Sequence, residues 1–164
     1  MIKMSEIQGN LNRHLKTALK VTTIKADQNG PRPSYPFVET KIISPGRAIG
    51  QTAEFMRNGR RVYEQDFAMT LSLNTYSDKQ EVAEDLVYSA FSYLQINGHY
   101  DLSLQNITVQ KLNVIENRTT VLTIGYEYHY GFDIVVNVRS QVIMEPELID
   151  AVDFEMSGKH EGKE

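Results

Sequence analysis

The feature that most constrains the fold is the alternation of apolar and polar residues in LTIGYEYHYGFDIVVNV, residues 122–138. Every even-numbered residue of this stretch is apolar or aromatic, and the alternation keeps its phase through Gly131. A two-residue hairpin turn at Tyr130-Gly131 would put Tyr128 and Asp133 on one face and move the apolar set to the other face. The pattern therefore favours one continuous strand. Two strands joined by a bulge at Gly131 are the alternative.

Such a strand is long for a chain of this size. Its residues, at ~3.3 Å each, span roughly 56 Å, whereas a domain of this chain length is only about 35 Å across. The strand must therefore curl around the domain, or extend beyond it and pair with another molecule. Gly125 and Gly131 lie among the odd-numbered residues, where a missing side chain would let the strand bend or let another backbone approach.

The N-terminal part of the chain predicts a helix, a loop and a strand. Residues 5–22 have the apolar spacing of a helix, with Ser5 and Gln8 as a capping box. Residues 26–36 contain three prolines and a glycine, which indicates a loop. A strand is expected over residues 37–44, because a Pro-Gly pair follows it.

The middle of the chain predicts a long hairpin and a second helix. The Asn-Gly pair at residues 58–59 is a strong signal for a type I′ turn, so we expect a hairpin with a long, partly exposed tip. Its second arm continues into a strand that alternates over residues 67–73. Asp78 and Glu81 form a second capping box, which predicts the start of a helix, and a second Asn-Gly pair at residues 97–98 predicts its end.

The order of these elements predicts the fold class. Residues 107–115 and the long alternating stretch supply the last strands, so that strands and helices are clustered along the chain. We therefore expect an α+β fold, a mainly antiparallel β-sheet with two helices packed on one face. We expect residues 1–145 to form one α+β domain and residues 146–164 to form an acidic C-terminal tail that is partly disordered.

Composition narrows the function. The net charge of −4 argues against a general nucleic-acid-binding protein. The absence of cysteine excludes disulfides, zinc–thiolate sites and a cysteine nucleophile. The longest apolar runs are far shorter than the ~20 residues that a membrane span needs, and the N-terminus lacks an apolar secretory core. We expect a protein made in a cytoplasm, with no membrane association.

No catalytic or cofactor-binding motif occurs in the sequence, so we expect a protein that is not an enzyme and needs no cofactor or metal. One remote alternative is a small metal-dependent enzyme. Glu127, His129 and Asp133 share one face of the predicted strand and could in principle hold a metal ion. A polar sheet face or a subunit contact explains the same three residues more simply.

Two groups of residues are candidates for contacts with another subunit or a partner. The arginines near the predicted hairpin turn form the first group, because arginine is enriched in protein interfaces. The aromatic part of the long strand forms the second, because half-exposed tyrosine is favourable in interfaces. The candidate interface residues are Arg47, Arg57, Arg60, Arg61, Tyr126, Tyr128, His129 and Gly131.

The run from Tyr126 to Val136 resembles the C-terminal strand motif of tailed-phage neck proteins. In that family a Tyr-Glu-x-Arg run is followed, after two residues, by an apolar residue, Asp and a β-branched residue, and here His129 replaces the usual arginine. Tyr35-Pro-Phe-Val38 looks like the entry to the first strand of the family. Residues 67–94 look like its central strand-helix unit. The resemblance spans about residues 35–140 and identifies the phage neck or tail-terminator group.

The resemblance implies a small subunit with a phage tail-terminator-like fold that closes into a ring, typically a hexamer, at the head-proximal end of the tail tube. It implies contacts with the tail tube protein and the head connector or stopper protein, and DNA that passes through the lumen without sequence-specific binding. The protein would be part of the virion neck, made in the cytoplasm of a bacterial host, and would need no cofactor. A head-tail stopper or adaptor protein of the connector is the alternative within the same class.

Overall fold

Three helices and seven strands form the fold in the computed structural model, which describes residues 1–145. In chain order the elements are α1 (Met4–Leu19), β1 (Thr22–Lys25), β2 (Phe37–Arg57), β3 (Arg60–Ser77), α2 (Gln80–Gln95), α3 (Asn97–Ser103), β4 (Ile107–Leu112), β5 (Glu116–Asn117), β6 (Thr120–Leu122) and β7 (Gly125–Met144). The α+β class predicted from the sequence is confirmed.

β7 is the central strand of the sheet. The long strands are ordered β1-β2-β3-β7-β4, and the short strands β5 and β6 also pair with β7. β1 pairs with β2 in parallel, and every other pairing among residues 1–145 is antiparallel. The sheet is therefore mixed, with β1 as its one parallel strand among residues 1–145.

β7 runs through Gly131 without a reversal, as the alternation predicts. Gly131 pairs with Asn74 in a register with β3 that continues without a shift along this part of the strand. The expected start of the strand at residue 122 is wrong. Leu122 belongs to β6 and pairs with Gly125 across a two-residue turn. Leu122 therefore lies on the face of Gly125, opposite the apolar even-numbered residues of β7.

The core lies between the helices and one face of the sheet. Leu73 and Phe132, which are partners on β3 and β7, are both fully buried. Leu15 of α1 and Leu94 of α2 pack into the same cluster, and Phe91 meets Phe132 edge to face with ring centroids 5.1 Å apart. Three helices contact this core instead of the predicted two, because α3 also contributes a buried leucine.

β2, β3 and β7 continue beyond the core as a three-stranded extension, here called the arm, which consists of residues 43–57, 60–67 and 139–144. The predicted end of a strand at Pro45-Gly46 is wrong, because β2 passes this pair through irregularities in its register with β3. The predicted turn is confirmed. Asn58 and Gly59 connect β2 to β3 with φ angles of 51° and 75°.

Both predicted capping boxes are wrong. α1 begins one residue before Ser5 and α2 begins two residues after Asp78, and neither helix has a side-chain hydrogen bond at its N-cap. Gln8 is buried instead, and its amide nitrogen donates to the backbone oxygen of Thr40 at 2.8 Å. The packing of α1 on β2 therefore determines the role of Gln8.

The predicted end of the second helix at residues 97–98 is the first turn of α3. Gly98 is buried there, and a Cβ atom on it would lie 2.9 Å from the backbone oxygen of Tyr93.

The predicted acidic tail, residues 146–164, lies outside the described residues. Within residues 1–145, no helix combines the length and the hydropathy that a membrane crossing requires.

Candidate interaction surfaces

The end of the arm exposes apolar side chains on both faces. Met56 and Met144 flank Arg61 in one cross-strand row, and 62% and 52% of their surfaces are exposed. Ile143 lies on the opposite face and is 52% exposed, next to the buried Val62. Soluble proteins seldom leave large apolar patches uncovered unless another molecule binds them. The end of the arm is therefore a candidate interaction surface.

The arm also has open strand edges. β1 pairs only with residues 37–40 of β2, so the outer edge of β2 beyond residue 40 has no strand partner within residues 1–145. On β7, β4 pairing ends at Val138, and the side chain of Asn106 bonds both backbone groups of Arg139. Open edges are sites where another strand can add.

The structure brings three of the predicted arginines together at the end of the arm. Arg57, Arg60 and Arg61 pair with Glu64, Glu145 and Glu54 at 3.8, 3.1 and 3.2 Å. More than half of each arginine side chain is exposed, so these ion pairs contribute little to folding and the guanidinium groups remain accessible. Arg47 is not part of this cluster, because it pairs with Ala68 near the base of the arm.

A second charged cluster, formed by Arg139 and two carboxylates at the base of the arm, has no signal in the sequence. Arg139 makes two hydrogen bonds to the carboxylate of Asp66, at 2.8 and 3.2 Å, and lies 3.6 Å from Glu64. The guanidinium group lowers the pKa of Asp66 below its usual value. This cluster links β3 to β7 where the helices no longer cover the sheet.

Another candidate surface is the hairpin formed by β6 and the start of β7. These residues, 119–126, are here called the finger. It contains no charged residue. Ile124 at its turn is 98% exposed, and Val121 and Tyr126 are also largely exposed. Tyr126 stacks on Tyr128 with ring centroids 6.2 Å apart. Of the two predicted tyrosines, Tyr126 therefore belongs to the exposed surface and Tyr128 is half-buried at its base.

Gly131 is a buried residue that lies against β3 and Arg118. A Cβ atom there would lie 2.6 Å from the backbone oxygen of Leu73 and 2.9 Å from a guanidinium nitrogen of Arg118. Arg118 crosses the strand at this point, where it donates to Ser72 at 2.8 Å and to Asn74 at 2.7 Å. The expectation that the glycine permits a close backbone approach is confirmed.

His129 lies in an aromatic layer on the sheet face away from the helices. Its ring stacks on Tyr76 with centroids 4.2 Å apart, and Arg32 lies over Tyr76 at 5.2 Å. Arg32 also forms an ion pair with Glu127, which accepts a hydrogen bond from the Tyr35 hydroxyl. These contacts hold the proline-rich loop against the sheet.

The three residues proposed for a metal ion do not converge on one. Glu127 is paired with Arg32, and Asp133 lies 3.4 Å from Arg118. Burial lowers the pKa of His129, and the positive charge of Arg118 adds to this effect. Within residues 1–145 no group of three or more His, Asp or Glu side chains has an arrangement that could hold a metal ion. The geometry therefore supports the aromatic and polar layer as a packing surface.

The family is established by comparison with known proteins. A model of the phage neck terminator proteins matches residues 5–163, which is nearly the whole chain. Comparison with curated proteins gives no match. The matched range includes the arm, the finger and the aromatic layer. The family has a tail terminator role, which makes its members virion components that contact other phage tail and head proteins. The chain therefore belongs to the phage neck terminator protein family.

Proposed function

We propose that the protein forms a homo-oligomeric ring, with six copies as the expected number, on the head-proximal end of the tail tube. One side of the ring contacts the tail tube protein, the other contacts the head connector or stopper protein, and DNA passes through the lumen. In this proposal the α+β body has the tail-terminator-like fold, and the protein acts by assembly rather than by catalysis. The observation that carries the proposal is the uncovered arm.

The length of the arm supports an intermolecular role. Residues 61–67 of β3 extend about 20 Å beyond the core at ~3.3 Å per residue. Apart from the buried Val62, such an extension adds surface rather than core, and its strands have apolar side chains on both faces. Burial of this surface against a neighbour would stabilise an assembly by roughly 25 cal/mol per Å² of apolar surface removed from water.

Ring closure requires two different surfaces on each copy. The arm and the finger are two such surfaces, at opposite ends of β7. A head-to-tail interface uses two different patches of each copy, and its repetition closes a ring when the rotation allows it. This is the symmetry that a cap on a tube needs.

The charge distribution suits a lumen through which DNA moves. Residues 146–164 contain six of the 21 acidic residues and two of the 17 basic residues, so residues 1–145 have no net charge. Tight binding of DNA depends on a basic surface that neutralises phosphates. A body without net charge would leave DNA weakly held.

We infer that the protein is assembled in the host cytoplasm and reaches the virion as part of the neck.

The proposal is tested with the full chain and the purified tail tube protein. Light scattering after size-exclusion chromatography and negative-stain images should show rings, alone or on tube ends. Met56→Glu with Ile143→Glu should abolish tube capping, and Val114→Glu, at an exposed apolar residue away from the arm, should leave it intact. A chain that stays monomeric and never binds tube ends would overturn the proposal. Preferential capture by connector protein would favour the stopper or adaptor role.

A further inference from the structure

A groove of about 720 Å³ lies between the second half of α1 and the C-terminal part of α2. Its apolar lining comes from Ala18, Leu19, Tyr93 and Ile96. Ile96 is 68% exposed at the end of α2, so the groove opens to the surface. A hollow of this size is large enough to receive one or two aliphatic side chains from another molecule.

The finger lies at the other end of α2 from this groove. Gln80, the first residue of α2, lines a small hollow together with Tyr126 of the finger. The Tyr130 hydroxyl donates to Glu84 in the next turn of the helix at 2.8 Å. α2 has 16 residues and is about 24 Å long at 1.5 Å per residue. The finger therefore cannot reach the groove of its own chain.

The two ends of α2 also differ in charge. The finger end has exposed carboxylates at Asp78, Glu81 and Asp85, which outnumber its one exposed basic side chain, Lys79. At the groove end, α1 carries exposed basic side chains at Arg13 and Lys16, and Arg13 lines the groove itself. The half-buried Asp101 also lines the groove, where its carboxylate accepts a hydrogen bond from the Tyr93 hydroxyl at 3.1 Å. Opposite charges at the two ends favour head-to-tail contact between identical chains and disfavour contact between like ends.

We propose that the finger of one copy inserts Ile124 into the α1–α2 groove of the next copy. The insertion covers the most exposed apolar side chain of the finger and places Glu81 and Asp85 beside Arg13 and Lys16 of the neighbour. The contact is heterologous, as a closed ring of identical chains requires. This inference rests on the proposed ring and specifies one interface within it.

The absence of cysteine from the chain permits a direct test. Two single-cysteine proteins, Ile124→Cys and Ser92→Cys, are mixed, assembled with tail tube protein and oxidised. Ser92 lines the groove and is exposed. Juxtaposition raises the effective concentration of the thiols, so disulfide-linked dimers should form at least about tenfold faster than with a control pair. The control pair is Gln28→Cys with Ser92→Cys, because Gln28 is exposed in the proline-rich loop.

The outcomes separate this inference from the proposed function. Tubes capped by rings without cross-linking above the control would overturn the finger contact and leave the ring intact. Failure of the unmodified chain to cap tubes or form rings would overturn the proposed function, and the finger contact with it.

A charge exchange covers the case in which Ile124→Cys prevents assembly. Arg13→Glu with Lys16→Glu should weaken ring assembly, and so should Glu81→Lys with Asp85→Lys. A chain that carries all four substitutions should recover assembly, since every interface regains opposite charges. A fourfold variant that assembles no better than the weaker double variant would overturn the proposal.

Discussion

Two consecutive segments of β7 have the same backbone structure but differ in how far other elements cover them. Residues 130–138, here called the first half, and residues 139–144, the second half, both pair with β3 in one register without a shift. In the first half every even-numbered side chain is buried, whereas Val142 and Met144 in the second half are about half exposed. The helices cover the first half, and no element within residues 1–145 covers the second in the same way.

This difference shows which apolar side chains of β7 belong to the fold. The hydrogen-bonded ladder continues through both halves, whereas the alternation ends at Val138, because residues 139–141 are polar and residues 142–144 are all apolar. Only the first half lies within the hydrophobic core of the chain. Apolar side chains in the first half should therefore contribute to the stability of the single chain, and those in the second half to association.

The largest effect on stability is expected from Phe132→Ala. Phe132 is fully buried and contacts Phe91, so its truncation should reduce the free energy of unfolding by about 3–5 kcal/mol. Urea denaturation followed by circular dichroism measures the change. The corresponding truncation in the second half, Ile143→Ala, should reduce the free energy of unfolding by less than half as much. Equal losses at the two residues would contradict the contrast between the halves.

Gly131→Val should have the next largest effect. The added side chain would collide with the backbone of β3 and displace Arg118, and such overpacking costs about 1–3 kcal/mol. Gly30→Val is the control, since no atom lies within 4 Å of a Cβ atom at Gly30 and its φ is not in the positive region. A valine tolerated equally well at both residues would mean that the strand can move away from Arg118.

Arg60→Glu with Arg61→Glu should leave the folded chain nearly unchanged. Their ion pairs at the end of the arm are exposed, so the free energy of unfolding should change by less than about 1 kcal/mol. If the end of the arm binds a neighbour or a tail protein, the same variant should fail to cap tail tubes in negative-stain images. Capping at the level of the unmodified chain would show that these two arginines are not part of the interface.

The smallest effect is expected from the protonation of His129. Because burial lowers its pKa from 6.5 in the folded chain, the unfolded chain binds more protons between the lowered pKa and 6.5, and stability falls as the pH drops through this window. His129→Gln should reduce the difference in unfolding free energy between pH 7.5 and pH 5. An unchanged difference would assign the pH dependence to other groups.

The sequence predicted the long strand and the turn at the end of the arm, because both depend on local patterns. The parity of residues 122–138 favoured a strand through Gly131, and the Asn-Gly pair at residues 58–59 specified the turn. The arginines were grouped correctly at that turn, apart from Arg47. The interface roles of these arginines and of Tyr126, Tyr128, His129 and Gly131 stay predictions.

The sequence did not predict features that depend on distant segments. Arg118 comes from the connection between β5 and β6 and binds side chains of β3 and β7, which no local pattern links. The turn of the finger uses Thr123 and Ile124, which are not typical turn residues, so the sequence pattern predicts a continuous strand there. Ser5 and Asp78 matched capping patterns that the observed helix starts do not use.

β7 joins the finger to the arm as one uninterrupted strand. Its 20 residues span about 66 Å at ~3.3 Å per residue, and hydrogen bonds to β3 reinforce most of this length. A mechanical load applied at the arm would therefore reach the opposite end of the molecule without crossing a loop. A tail tube docked at one end of such a stiff element would set the tilt of whatever binds at the other.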